Sequence, residues 1–191
     1  MTIDSNYKKH IRAAMKLWVR ANYADNFLPG QSPGHIAYYI QKLVRGMKAY
    51  KQASVLTGIP WQIIGVLHGL EGQFDFSRQV FNGEKWNQKT TIVPKNKGPW
   101  ESWLESTEDA LRDTDTISTW GVMDTAHFFE SWNGMGYYNK GIYTPYLWSY
   151  LAPYAQQGGG KYVSDGKFDR NAVSKQVGAI TQLLHSGYFW K

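Results

Sequence analysis

The sequence predicts a mainly α-helical protein carrying one small β-hairpin. Apolar residues recur at helical spacing in one segment after another. The dipeptide Asn82-Gly83, the strongest short-range hairpin signal, stands between apolar residues. The chain has 191 residues, 42% of them hydrophobic and 16% aromatic, enough for one core burying about two-thirds of the unfolded surface. No internal repeat or interdomain linker stands out, and Gly158-Gly159-Gly160 is too short to separate two domains. The expectation is a single domain over residues 1–191, with N-terminal helices over 1–57 and the core over 58–191.

From about Asn6 to Asn22, Ile11, Met15, Trp18 and Val19 mark an amphipathic helix, and Asn26-Phe27-Leu28-Pro29-Gly30 is a turn. Ser32 is placed to cap a second helix with Pro33 at its first position, and the stripe Ile36, Ile40, Leu43, Val44, Met47 carries it to about Leu56. Gly58 ends it, and an apolar helix follows from Pro60 to Glu71. The hairpin is expected over Val80–Trp86 and a short strand over Thr90–Pro94. Ser102 with Glu105, and Ser106 with Asp109, fit a capping box for a helix through Arg112; another helix is expected from about Ser118 to Ser131. Asp169 is expected to cap a last helix through Val173, Val177, Ile180 and Leu184, ending at Gly187.

Composition excludes several classes. The hydrophobic content rules out a disordered chain, and no apolar run approaches the roughly 18 to 20 residues of a membrane span. The first residues lack the pattern of a secretory signal, so release from the cytoplasm would fall to a partner. Without cysteine there is no disulfide, thiolate nucleophile or Cys-ligated zinc. The net charge of +6 favours an anionic polymer or surface, such as the bacterial envelope. The basic residues are scattered and no nucleic-acid motif accompanies them, so nucleic acid is not an expected partner. Nine tryptophans and thirteen tyrosines supply flat amphipathic rings of the kind that stack on sugars.

The chemistry centres on Leu70-Glu71-Gly72-Gln73-Phe74. Glu71 lies three, four and seven positions from His68, Leu67 and Ile64, on the inward stripe of its helix. Burial there, and the negative end of the helix dipole if Gly72 stops the helix, both favour the protonated carboxyl that a general acid needs near neutral pH. A second carboxylate, Glu84, follows thirteen positions later in the hairpin. A helix-end acid facing an acid on a β-turn can form two walls of a sugar cleft. His10, His35, His68, His127 and His185 form no His-Glu-x-x-His motif, and no Gly-x-Ser-x-Gly elbow is present. No metal or other cofactor is expected.

Six stretches carry a resemblance: Gly58-Ile59-Pro60-Trp61, His68-Gly69-Leu70-Glu71, Asn82-Gly83-Glu84, Trp132-Asn133-Gly134-Met135-Gly136-Tyr137, Pro145-Tyr146-Leu147-Trp148-Ser149-Tyr150 and Lys161-Tyr162-Val163-Ser164-Asp165-Gly166. Over about residues 58–184 they look like a group of phage endolysins and prophage proteins of the lysozyme-like superfamily. The resemblance implies a mainly α, lysozyme-like fold with a small β-hairpin subdomain beside the catalytic helix. It also implies cleavage of the MurNAc–GlcNAc bond of bacterial peptidoglycan. Glu71 carries over as general acid and Glu84 as the second carboxylate, with Gln73, Asn133, Tyr137 and Trp148 expected to hold the glycan. The serine that follows the acid in lytic transglycosylases is Gly72 here, and the related Tyr-Asn-Gly pattern reads Trp132-Asn133-Gly134. The implied protein is a monomeric endolysin kept in the host cytoplasm until a holin releases it to the wall. A lytic transglycosylase and a non-catalytic wall-binding protein are the alternatives.

Overall fold

The computed structural model describes residues 3–114, 117, 119–164 and 166–190. Among them are α1 (Ser5–Arg20), α2 (Pro33–Arg45), α3 (Met47–Thr57), α4 (Trp61–Gly72), α5 (Trp103–Leu111), α6 (Val122–Trp132), α7 (Pro145–Trp148), α8 (Ala152–Gln156) and α9 (Ala179–His185). One antiparallel pair, β1 (Lys161–Ser164) and β2 (Lys167–Asp169), and two short 3-10 helices, Tyr138–Lys140 and Tyr188–Trp190, complete the regular structure of the described residues. The protein is therefore mainly helical with a small sheet. The chain forms two compact units, Tyr39–Thr116, and Met1–Tyr38 with Ile117–Lys191.

The Tyr39–Thr116 unit is built around α4. Gln62 through Leu70 are all buried, the pattern of a helix sunk in a core rather than lying on a surface. Two of its glycines set how closely its neighbours approach. A Cβ on Gly65 would lie 2.8 Å from the Tyr50 ring of α3, and one on Gly69 2.6 Å from the Phe74 ring. The single helix expected from Ser32 to Leu56 is instead two, divided at Gly46. There a Cβ would lie 2.6 Å from the ring of Tyr50, which is fully buried and needs that space. Gly58 (φ 72°) and Pro60 then turn the chain by 115° between α3 and α4. Among the described residues no single helix is long and apolar enough to cross a membrane.

The chain reverses at Asn82-Gly83 as expected, but without strands. Gln79 N–H donates to Glu84 O at 2.9 Å, Gly83 N–H to Gln79 O at 3.2 Å, and one bridge joins Arg78 to Lys85. The buried Gln79 side chain explains this: its Oε1 accepts from the N–H groups of Phe81 (2.6 Å) and Asn82 (3.2 Å), taking donors a ladder would use. The expected strand at Thr90–Pro94 is likewise a closed loop. Thr90 N–H donates to Lys97 O, and Asn96 N–H to Thr90 O, each at 2.9 Å. The small sheet of the described residues is formed instead by residues 161–169, in the other unit.

In the other unit α1 packs on α8 and α6, and α6, α7 and α9 pack on one another. Leu147, Trp148, Tyr150, Tyr154, Phe129 and Leu183 are fully buried there. Asp169 does not begin a helix. It pairs with Lys161 across the sheet, next to the Tyr162–Phe168 pair, and α9 starts only at Ala179. The intervening segment is held extended by side chains: the Tyr154 hydroxyl accepts from Ser174 N–H at 3.0 Å, and the Tyr150 hydroxyl donates to Lys175 O at 3.0 Å. The expected helix start at Ser118 lies outside the described residues, as does Asp165.

The N-cap of α9, Gly178, is pressed onto backbone. A Cβ there would overlap the Leu147 carbonyl, 2.6 Å from its carbon and 2.8 Å from Ser149 N. Gly178→Ala should therefore lower the unfolding free energy by about 2 kcal/mol or more. Gly121→Ala at the N-cap of α6, where a Cβ meets nothing within 4 Å, should change it by less than about 0.5 kcal/mol. Urea midpoints of the two variants check both.

Candidate active site

Glu71 is in the last turn of α4, half-buried between the buried Leu70 and Gly72. The helix runs through Gly72, and the left-handed residue that ends it is Gln73 (φ 56°), followed by a second one, Phe74 (φ 61°). Two successive non-glycine residues in this region cost on the order of 1 kcal/mol each and persist only where the surroundings enforce them. Here Gln73 N–H bonds to His68 O, and the buried Phe74 ring packs over Gly69 with its edge to Tyr39, centroids 5.5 Å apart. Gly72 contributes closeness rather than a helix stop. A Cβ on it would lie 2.9 Å from the His68 ring and 3.3 Å from Arg78 Cβ, so a serine at this position would have to displace the histidine.

His68 braces the same corner. Its ring is fully buried among Tyr50, Phe76 and Trp103, with Phe76 and Trp103 centroids at 4.9 and 5.0 Å. Asp75 O can only accept, so the Nε2 atom 3.1 Å away carries the proton, and the Tyr50 hydroxyl donates to Nδ1 at 2.9 Å. Burial pushes the imidazole down to about 4, keeping it neutral. His68 thus ties the Asp75 carbonyl, just past the strained pair, to the core.

The turn carrying Glu84 is seated directly on Glu71. A Cβ on Gly83 would overlap the Glu71 carbonyl oxygen and lie 3.1 Å from its carbon, and Gly83 has φ 75°. Only glycine fits there on both counts. The Arg78 guanidinium donates to Gly83 O at 2.7 Å and fixes the turn from the other side.

The Glu84 carboxylate faces its own loop. It accepts from Thr91 N–H (3.0 and 3.1 Å), the Thr91 hydroxyl (2.6 Å), Ile92 N–H (3.2 Å) and Asn82 Nδ2 (3.2 Å). The Thr91 hydroxyl above all, and then the backbone amides, hold it below the usual carboxylate range. Glu84 is thus an ionised anchor for residues 82–92, its acceptor sites largely filled.

The remaining expected residues separate. Gln73 is exposed as the left-handed cap of α4. In the other unit Asn133, at the C-cap of α6, and Tyr137 line a groove of about 580 Å³, with Gly134, Gly136, Tyr162 and Ser164 also on its walls. The Tyr137 hydroxyl accepts from Tyr162 N–H at 2.9 Å, fastening the aromatic loop to β1. Trp148 is fully buried in the core of that unit, so its ring has no face for a sugar, and the expected stacking role is corrected. The apolar neighbours Leu147 and Leu151, equally buried, explain its placement.

Sequence reading missed Glu130. It is fully buried on α6; its Oε2 accepts from the Tyr7 hydroxyl at 3.0 Å, and its Oε1 has no hydrogen-bond partner among the described residues. Burial pushes this carboxyl up to about 7, with Tyr7 and the Tyr138 amide pulling the other way. The stripe argument applied to Glu71 would have found it, since Glu130 stands four positions after Ala126 on the inward face of α6. Among the described residues no group of three or more His, Asp or Glu side chains could hold a metal ion. No protein-family model, curated protein or solved structure matches the chain.

Glu130 and His68 leave opposite pH signatures. A carboxyl raised from 4.5 to about 7 on folding stabilises the fold below its unfolded value and loses that stability as pH rises through 7. A histidine lowered from 6.5 to about 4 loses stability as pH falls from 6.5 towards 4. Between pH 6.5 and 8 the stability of the wild type relative to Glu130→Gln should fall by about 1 kcal/mol, read from urea unfolding at each pH. The His68 ring should show no NMR titration above about pH 5.

Proposed function

We propose that the chain is a muramidase of the phage endolysin type, cleaving the MurNAc–GlcNAc bond of bacterial peptidoglycan with Glu71 as general acid. The observation that carries this reading is the corner around Glu71. One carboxyl at the end of a buried apolar helix is reached by solvent on one side, while the left-handed pair, His68 and the Gly83 turn fix the backbone beneath it. Such a corner can hold a proton donor still against a leaving oxygen. The groove beside Asn133 and Tyr137 supports the substrate class, because its amide, glycine and aromatic walls suit a neutral sugar. The net charge of +6 suits an anionic wall. Release to the wall by a holin belongs to the same proposal.

The occupied carboxylate of Glu84 favours a second reading, a lytic transglycosylase. There one carboxyl acts first as acid and then as base, and the muramoyl 6-hydroxyl attacks its own C1 in place of water. In both readings Glu84 holds the loop and Glu71 does the chemistry.

Mass spectrometry of muropeptides released from purified sacculi tests both. Wild type should release products with a free reducing end, and Glu71→Gln, folded by circular dichroism, should release none above a few per cent. Products lighter by one water would replace hydrolysis with the second reading. Undiminished release by Glu71→Gln would end both.

A further inference from the structure

The groove beside Tyr137 continues past its neutral end. Asn133, Tyr137 and Tyr162 also line a second recess, of about 370 Å³, whose far walls are Lys161, Lys175 and Gln176. The described linings differ in chemistry: that of the first holds no charged side chain, whereas that of the second includes Lys161 and Lys175 and no acidic residue.

Among the described residues neither lysine has a carboxylate partner. Lys161 stands opposite Asp169 in the sheet, where a cross-strand ion pair would be expected. Asp169 Oδ1 instead accepts from Asn171 N–H at 2.8 Å, and among the described residues neither Lys161 nor Lys175 has a carboxylate within 4 Å. The backbone beneath both is fixed by buried groups. Tyr150 holds Lys175 O, and Ser174 O accepts from Gln31 Nε2 at 2.8 Å and from the Ser149 hydroxyl at 3.3 Å. On the facing wall Tyr137 holds Tyr162 N–H, the next residue after Lys161. Among the described residues, two lysines without a carboxylate partner stand on fixed backbone beside a groove whose other described lining is uncharged, and together they form a preorganised anion site.

We infer that the Lys161–Lys175 recess is a subsite for the carboxylates of the peptide stem borne by a muramoyl residue whose sugar lies in the neutral part of the groove. The inference rests on the glycan reading above and adds to it what the protein recognises beyond the sugar. The continuity of the groove selects the ligand, because the anion nearest a muramoyl ring, and covalently tied to it, is its stem peptide.

The test is binding to the full chain, followed by ¹H–¹⁵N NMR at low salt, where such contacts are least screened. The probes are the disaccharide-tetrapeptide, the same compound with its stem carboxylates amidated, the peptide-free disaccharide, and glycerol phosphate. Wild type should bind the carboxylate-bearing compound about tenfold more tightly than the amidated or peptide-free ones. The double variant Lys161→Gln/Lys175→Gln should lose that preference and keep the affinity for the peptide-free disaccharide. Equal affinities in wild type, or a preference that survives the double variant, overturn the subsite. So does tighter binding of glycerol phosphate, which would mark a phosphate site. Each of these outcomes leaves Glu71-dependent cleavage standing, whereas loss of that cleavage is read separately from the muropeptides.

Discussion

The contact between Gly83 and the carbonyl of Glu71 is the constraint on which the candidate site depends. A helix normally ends with free carbonyls facing solvent, and its last side chains fray. Here the last turn of α4 is closed from three directions. The turn at Gly83 lies on the Glu71 carbonyl, His68 grips the Asp75 carbonyl from inside the core, and Phe74 is driven back over Gly69. The left-handed conformations of Gln73 and Phe74 are what this closure costs. The half-buried Glu71 side chain stands on the backbone that this closure holds.

Three ionisable groups show how differently one fold treats charge. Glu84 keeps its charge because its loop supplies four donor groups to it. Glu130 is pushed towards neutrality because its burial outweighs the Tyr7 hydroxyl and the Tyr138 amide that favour its charge. His68 stays neutral because burial penalises its charged form by more than the Asp75 carbonyl at Nε2 favours it. Each is an anchor. Glu84 holds a loop, Glu130 ties α6 to Tyr7 of α1, and His68 holds the end of α4. Glu71, half-buried, stands at the end of α4 on the backbone that the Gly83 turn and His68 hold.

Periodicity made most helices legible, because an inward stripe is a statement about burial and burial decided these segments. Ser102 does cap α5, accepting from Glu105 N–H at 3.1 Å, and Gly58 does end α3. What periodicity could not show was packing at a distance. Gly46 splits a stripe that reads as continuous because Tyr50 needs its space. Gln79 spends its amide on the turn that would have become a hairpin, and Tyr150 and Tyr154 hold residues 174–175 out of a helix whose pattern runs back to Val173. In the site, the placement of Glu71 near the Asn-Gly turn could be read from spacing, whereas the occupied state of Glu84 depends on Thr91 and Ile92, which no motif links to it. Trp148 was misread because a ring-rich segment looks the same in sequence whether it lines a surface or fills a core.

A crystal structure of Glu71→Gln with a bound MurNAc-containing tetrasaccharide tests the proposed role of Glu71 as proton donor to a glycosidic oxygen. The residue 71 side chain should lie within about 3 Å of the oxygen of the scissile bond. A glycan bound in full occupancy with no glycosidic oxygen near residue 71 would contradict it.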